Sequence, residues 1–261
     1  MLRGIVAFIC GMLICTAVNA KSITLSADNA MLINGPIDSE SVTAAMLKLQ
    51  ELNKVETDEP IYLVMNSPGG SIYDGFDFIR YAETSRRKIH TITIFAASMA
   101  FQIVQAMDVR YMSSYSTLMS HKASGGFSGE FPGQLDSRYN HVLSHLKEQD
   151  KKVVARTKGK QTLESYAKLI QNEYWADASK AIQDGFADEE VSMSCDESLE
   201  GTNSRVINLG LFSADVTFSN CPLITQPIAI TAANNLEYVK KNNIDVKLEY
   251  AKLFEVKGLK F

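Results

Sequence analysis

Ile61-Tyr62-Leu63-Val64-Met65-Asn66-Ser67-Pro68-Gly69-Gly70-Ser71 decides how this chain is read. Ile61 to Met65 is a short apolar run, preceded by Glu59-Pro60 and followed by a Pro-Gly-Gly turn. That is the pattern of a buried strand ending in a glycine-rich loop. Ser71 to Arg86 follows as helix, marked by Ile72, Phe76, Ile79 and Tyr81. Upstream, Ser22 to Leu32 reads as short β segments and Gly35-Pro36 as a turn. Val42, Ala45, Met46, Leu49 and Leu52 then give a helix, with Asp38 and Ser39 placed to cap it and Glu40 in its first turn. Downstream the unit recurs: Thr91 to Phe95 is a β-branched and aromatic strand, and Ala96-Ala97-Ser98-Met99 leads into the helical run Ala100 to Met107. Val109 to Met112 and Thr117 to Ser120 are two further strands. Short buried strands alternating with helices build an α/β core with largely parallel strands, and functional groups collect where strands hand over to helices.

Beyond this core, Ser124 to Gly133 is a glycine-rich loop, and Leu135 to Arg156 is a long polar helix broken near Gly159. Leu163 to Ile170 and Ala176 to Gln183 are helical pieces closing at Gly185. After Asp188 the chain turns to Ser, Thr and Asn with β-branched residues, so a boundary falls at Val191 to Cys195. The organisation expected is a core over residues 21 to 195 and an extension of unassigned role over 196 to 261, with no internal repeat.

The whole chain is 261 residues, 46% hydrophobic and 21% charged, which excludes collagen-like, disordered and coiled-coil classes. Its net charge of -4, without a basic run, gives no reason to expect nucleic acid as a partner. Arg3, the apolar stretch Ile5 to Val18 and the small residues near Ala20 form a secretory signal peptide over residues 1 to 20. An exported, periplasmic or secreted, chain cleaved there keeps Cys195 and Cys221. In an oxidising compartment that pair is expected to form a disulfide.

The chemistry sits at three handovers. Ser98 lies between a strand and a helix, where its hydroxyl meets the positive end of the helix dipole and the first-turn amide of Met99 is left without an intrahelical acceptor. The turn Asn66 to Gly70 can aim amides into a small anion-binding concavity. His121, at another strand end and before Gly125-Gly126, has an imidazole suited to general base work. His90, His141 and His145 read as surface or packing residues. Each feature alone has a bland reading as cap, turn or surface side chain.

Taken in this order and spacing, the chain resembles the proteolytic subunit of the Clp protease, a crotonase-like serine peptidase. Ile61 to Ser71 is similar to that family's strand and oxyanion turn, Ala96-Ala97-Ser98-Met99-Ala100 to its nucleophile box, and Met119-Ser120-His121 with Gly125-Gly126 to its histidine box. The resemblance runs from about Asn29 to Asp188. Its closing part, Tyr174-Trp175, Ala178, Ala181 and Gly185-Phe186-Ala187-Asp188, sets Glu173 where the family has an aspartate, with Asp177 as the other candidate. Departures are Ile94 and Ala100, where the family has glycines, and Lys122-Ala123-Ser124, where it has a proline; Lys122 also raises a lysine base as an alternative to His121.

The resemblance implies a crotonase-like α/β fold, a repeated β-β-α superhelix with a protruding handle helix at Leu135 to Arg156. It implies a serine endopeptidase that works through an acyl-enzyme on short or unfolded polypeptides, without metal or cofactor. Ser98 would attack, His121 carry the proton, Glu173 orient His121, and the amides of Gly70 and Met99 hold the oxyanion. It further implies a homo-oligomeric ring. An exported chain meets no ATP, which argues against an ATP-driven unfoldase as partner. The competing reading is a non-catalytic module that keeps the family's shape for assembly or binding, with Glu173 and the altered boxes as signs of drift.

Overall fold

A computed structural model describes residues 21 to 254; the signal segment expected over residues 1 to 20 lies outside them. The elements, in chain order, are β1 (Lys21–Leu25), β2 (Ala30–Asn34), α1 (Ser39–Leu52), β3 (Ile61–Ser67), α2 (Ile72–Ala82), β4 (Ile89–Ala97) and α3 (Met99–Ala106). They continue with β5 (Val109–Ser120), α4 (Gln134–Arg156), α5 (Leu163–Leu169), β6 (Tyr174–Ala176), α6 (Ala178–Asp184) and β7 (Glu189–Cys195). The last part holds β8 (Thr202–Asn208), β9 (Ser213–Ser219), β10 (Ala229–Ala232), α7 (Leu236–Lys241) and α8 (Val246–Ala251).

The main sheet runs β1-β7-β5-β4-β3-β2, with β6 added to β5. All its pairings are parallel except β5 with β6. This is the α/β architecture that the alternation of strands and helices predicts, and it agrees with a crotonase-like fold. Helices cover one face, where Leu49, Leu63, Met65, Phe78, Phe101, Ile103 and Phe186 are fully buried. On the other face Ile23, Leu25, Val64, Ile92 and Tyr111 form a second apolar layer, with Cys221 and Leu223 packed on it.

Local chemistry explains the element ends. Asp38 accepts from Ser41 N at 2.8 Å and Ser41 Oγ accepts from Asp38 N at 3.1 Å, a reciprocal cap for α1. Arg87, buried after α2, donates to the carbonyls of Asp28, Leu52, Glu59 and Pro60, so one guanidinium ties its own segment to three others. Arg110, only 1% exposed, is paired with Asp188 at 2.9 Å and also donates to Gln105 Oε1 and to the carbonyl of Gly185.

Several boundaries differ from the sequence reading. The two strands expected over 109–112 and 117–120 are one, β5, with an outward bulge whose tip, Tyr115, has φ 61° and stands wholly in solvent. The helix expected to begin at Ala176 begins at Ala178, because Tyr174 to Ala176 is taken by β6. The expected handle is α4, whose buried side chains, Gln149 and Val153, lie in its C-terminal half while the N-terminal half projects. The C-terminal residues form a three-stranded antiparallel sheet, β10-β9-β8, with Ala214, Val216, Phe218 and Tyr250 buried on one face. Cys195 and Cys221 are bonded, as the sequence reading expected, and so join the end of β7 to the loop after β9.

Candidate active site

Because the core strands are parallel, the C-terminal ends of β3, β4 and β5 meet on one edge of the sheet, and the three boxes meet with them. Ser98 follows β4 with φ 56° and ψ -119°, a conformation costly for a residue with a side chain. It is held by its own N–H, which donates to Met119 O at 3.0 Å on β5, and by α3 starting at the next residue. His121 is the first residue past β5, and its Nε2 lies 2.7 Å from Ser98 Oγ. The nucleophile and base of the sequence reading are therefore in hydrogen-bond contact, and both are partly open to solvent.

The glycine turn Ser67 to Gly70 is wedged beside them. A Cβ on Gly69 would lie 2.5 Å from Ala97 O and 2.7 Å from the Ser98 Cβ; one on Gly70 would lie 2.2 Å from Ile37 O. Gly69 and Gly70 have φ of 89° and 152°, so both backbone angle and space demand glycine. Gly69 N–H is spent on Ser67 Oγ at 3.1 Å, whereas among the described residues Gly70 N–H and Met99 N–H have no acceptor. The turn is held by Ile37, whose N–H donates to Gly69 O and whose carbonyl accepts from Ser71 N, each at 2.8 Å.

The acidic candidates separate. Antiparallel pairing of β6 with β5 matches Ser120 to Tyr174 and Met119 to Trp175; one step further this register sets Glu173 opposite His121. The Glu173 carboxylate, however, accepts from Trp175 Nε1 at 3.0 Å, and among the described residues no hydrogen bond joins it to His121. Glu173 has φ 64°, a second strained residue at this site. Asp177 is the N-cap of α6, accepting from Lys180 N at 2.8 Å, so its carboxylate is already engaged. Lys122 is exposed, and among the described residues no hydrogen bond joins it to Ser98.

Sequence reasoning missed Tyr166 on α5. Its phenol lies 2.9 Å from Ser120 Oγ and 3.5 Å from Gln102 Nε2, and burial pushes it up to about 12 against the opposing effect of those two hydrogen bonds. Ser120 precedes His121, and Gln102 N donates to Ser98 O, so the phenol bridges the strand that ends at His121 to the helix that follows Ser98. No sequence signal marked it, since its partners lie 46 and 64 residues away.

From Gly70 a groove of about 1040 Å³ runs between α2 and α4, lined by Ile72, Phe76, Phe127, Leu135 and Val142 among others. Among the described residues no three His, Cys, Asp or Glu side chains converge as metal ligands, and no helix is long and apolar enough to cross a membrane.

Residues 17–193 match the family model described as Clp protease. The chain is 26% identical over 165 residues to the ATP-dependent Clp protease proteolytic subunit of Streptococcus mutans serotype c, covering 62% of this chain and 84% of that relative. It is 27% identical over 168 residues to the protein of the same name from Streptococcus equi subsp. equi, with 62% and 84% covered.

Proposed function

This chain belongs to the Clp protease family, and from that premise we propose that it is a serine endopeptidase acting on short or unfolded polypeptides. The observation that carries the reading is the 2.7 Å contact of Ser98 Oγ with His121 Nε2 beside two unspent amides. In the proposed reaction His121 takes the hydroxyl proton as Ser98 Oγ bonds to the scissile carbonyl carbon. The carbonyl oxygen becomes an oxyanion held by Gly70 and Met99 N–H, and collapse passes the proton from His121 to the leaving amine. Water, activated by the same imidazole, then releases the acyl group from Ser98 and restores the hydroxyl.

Glu173 is the orienting acid in this proposal. Its register opposite His121 favours it over Asp177, which caps α6, and engagement requires its carboxylate to turn from the Trp175 indole to His121 Nδ1. The apolar groove that begins at Gly70 suits substrate side chains. We further propose export after cleavage behind Ala20, which the Cys195–Cys221 bond supports, and a homo-oligomer assembled through the projecting half of α4. Labelling with a fluorophosphonate probe tests the central reading. The expected result is one adduct at Ser98, lost in Ser98→Ala and His121→Ala; an unlabelled wild-type chain favours the non-catalytic module instead.

A further inference from the structure

The small C-terminal sheet ends in an unguarded edge. β8 is seven residues long, pairs among the described residues with β9 alone, and is exposed at every position except Ile207. Natural edges are blunted by shortness, proline, lysine or a bulge. The opposite edge, β10, is four residues long and follows Pro227, but β8 has no proline, lysine or bulge, and its one charged side chain, Arg205, lies over Phe218. The bonds from Asn220 N to Gly201 O and from Leu209 N to Phe212 O fix the alternation of the ladder. By that alternation Asn203, Arg205 and Ile207 exchange bonds with β9, while the N–H and C=O groups of Thr202, Ser204, Val206 and Asn208 point away from the sheet.

This edge is attached to the catalytic end of the main sheet. β7 is parallel to β5, so Cys195 at its C-terminal end lies at the same end as Ser98 and His121, and the disulfide fastens the small unit there. A second tie reaches the oxyanion strand: Asn34 Nδ2 donates to Thr225 O at 2.9 Å, and Asn66 Nδ2 donates to Asn34 Oδ1 at 2.7 Å. Asn66 immediately precedes the turn Ser67 to Gly70.

We propose that β8 is a docking edge for an extended, unfolded polypeptide, which adds to the small sheet as a further strand and is held beside the catalytic cleft. The identity of this occupant rests on the serine-peptidase reading, because such an enzyme works on main chain in that same extended form. A second copy of the chain fits less well. The antiparallel self-pairing that uses all four outward residues centres on Arg205, and it would set two guanidinium groups opposite each other with no acidic residue on β8 between them. Arg205 is instead stacked over Phe218 at 4.5 Å, leaving the edge clear.

The test uses fluorescent, reduced and carboxymethylated α-lactalbumin as a permanently unfolded probe, with the Ser98→Ala chain as a non-cleaving binder. Ser204→Pro with Val206→Pro removes two outward donors and leaves the β9 ladder intact, so probe affinity should fall about tenfold. On the unsubstituted β8, the amides of Ser204 and Val206 should gain hydrogen-exchange protection when the probe is added. In the Ser98-containing chain, the same proline pair should raise KM for the unfolded protein and leave kcat/KM for a short fluorogenic peptide unchanged. Unaltered affinity together with unprotected amides overturns the proposal. Protection that appears without probe, rises with protein concentration and accompanies a doubled mass also overturns it, in favour of a second copy. If the wild type resists fluorophosphonate, the peptidase reading falls, yet the binding and exchange arms still decide the edge.

Discussion

At the scale of single residues, the proposed mechanism sets Trp175 and His121 in competition for the Glu173 carboxylate. With Glu173 bonded to the indole, the imidazole has the Ser98 hydroxyl on one side and, among the described residues, no hydrogen-bonded carboxylate on the other. Trp175→Phe removes the competing donor while keeping an aromatic ring, so kcat is expected to hold or rise. Glu173→Gln removes the charge that would stabilise the imidazolium and should lower kcat roughly a hundredfold or more, with KM little changed. Steady-state kinetics on a peptide substrate checks both, and a silent Glu173→Gln would remove Glu173 from the mechanism. Tyr166→Phe is a finer probe. It keeps the buried ring packed on Phe186 but cuts the bridge from Ser120 to Gln102, and kcat should fall about tenfold for a displacement of the imidazole by a fraction of an ångström. Ser120→Ala should cost the same, and the double variant no more than either single one.

At the scale of elements, capping and catalysis can be separated on one short stretch. Asp177→Ala should destabilise α6, by about 1 kcal/mol, and leave the kinetics unchanged; denaturant unfolding and peptide hydrolysis together check it. What the sequence made legible follows the length of each element. β3, α2, β4, α3 and the two halves of β5 carry apolar runs, and the glycine turn, Ser98 and His121 stand at the ends of β3, β4 and β5, so both the alternation and the candidate residues could be read. β6 is three residues long, too short for any period, yet it sets the register that brings Glu173 opposite His121. The bulge Ser113 to Ser116 looks like a turn in sequence because its polar residues interrupt β5 without ending it. In β8 to β10 one face is wet and rich in Ser and Thr, so alternation carried little signal. The bond from Trp175 to Glu173 joins two side chains two residues apart at the start of β6, a relation that no residue pattern encodes.

At the scale of the whole molecule, the Arg110–Asp188 pair locks the end of the core segment to the middle of the sheet. Burial alone would push the Asp188 carboxyl up, but the Arg110 hydrogen bonds and charge outweigh it and hold the group at about 2, below its ordinary 3.8. A carboxyl depressed in the folded state stabilises fully above its unfolded value, and that contribution is lost as pH falls from about 4 to 2. It amounts to about 2 kcal/mol, and the steep acid side of a stability curve should flatten in Asp188→Asn. Reduction of Cys195–Cys221 acts on a different region: it releases a closure of 26 residues, worth about 3 kcal/mol, and should loosen β8 to β10 before the Ser98–His121 contact is lost. Limited proteolysis with and without reductant checks the order.

The pairing of β1 with β7 has a consequence in time. Lys21 meets Val191, so the strand nearest the start of the described chain waits for one of the last core strands to be made before it has a neighbour. During synthesis β2, β3, β4 and β5 can register against one another as each emerges, while the backbone of β1 has no strand to pair with until Glu189 to Cys195 arrives, and Ile23 and Leu25 lack the Val191 part of their packing. Nascent chains halted before residue 189 should therefore present a sticky, unclaimed first strand to chaperones, and chains halted beyond Cys195 should not.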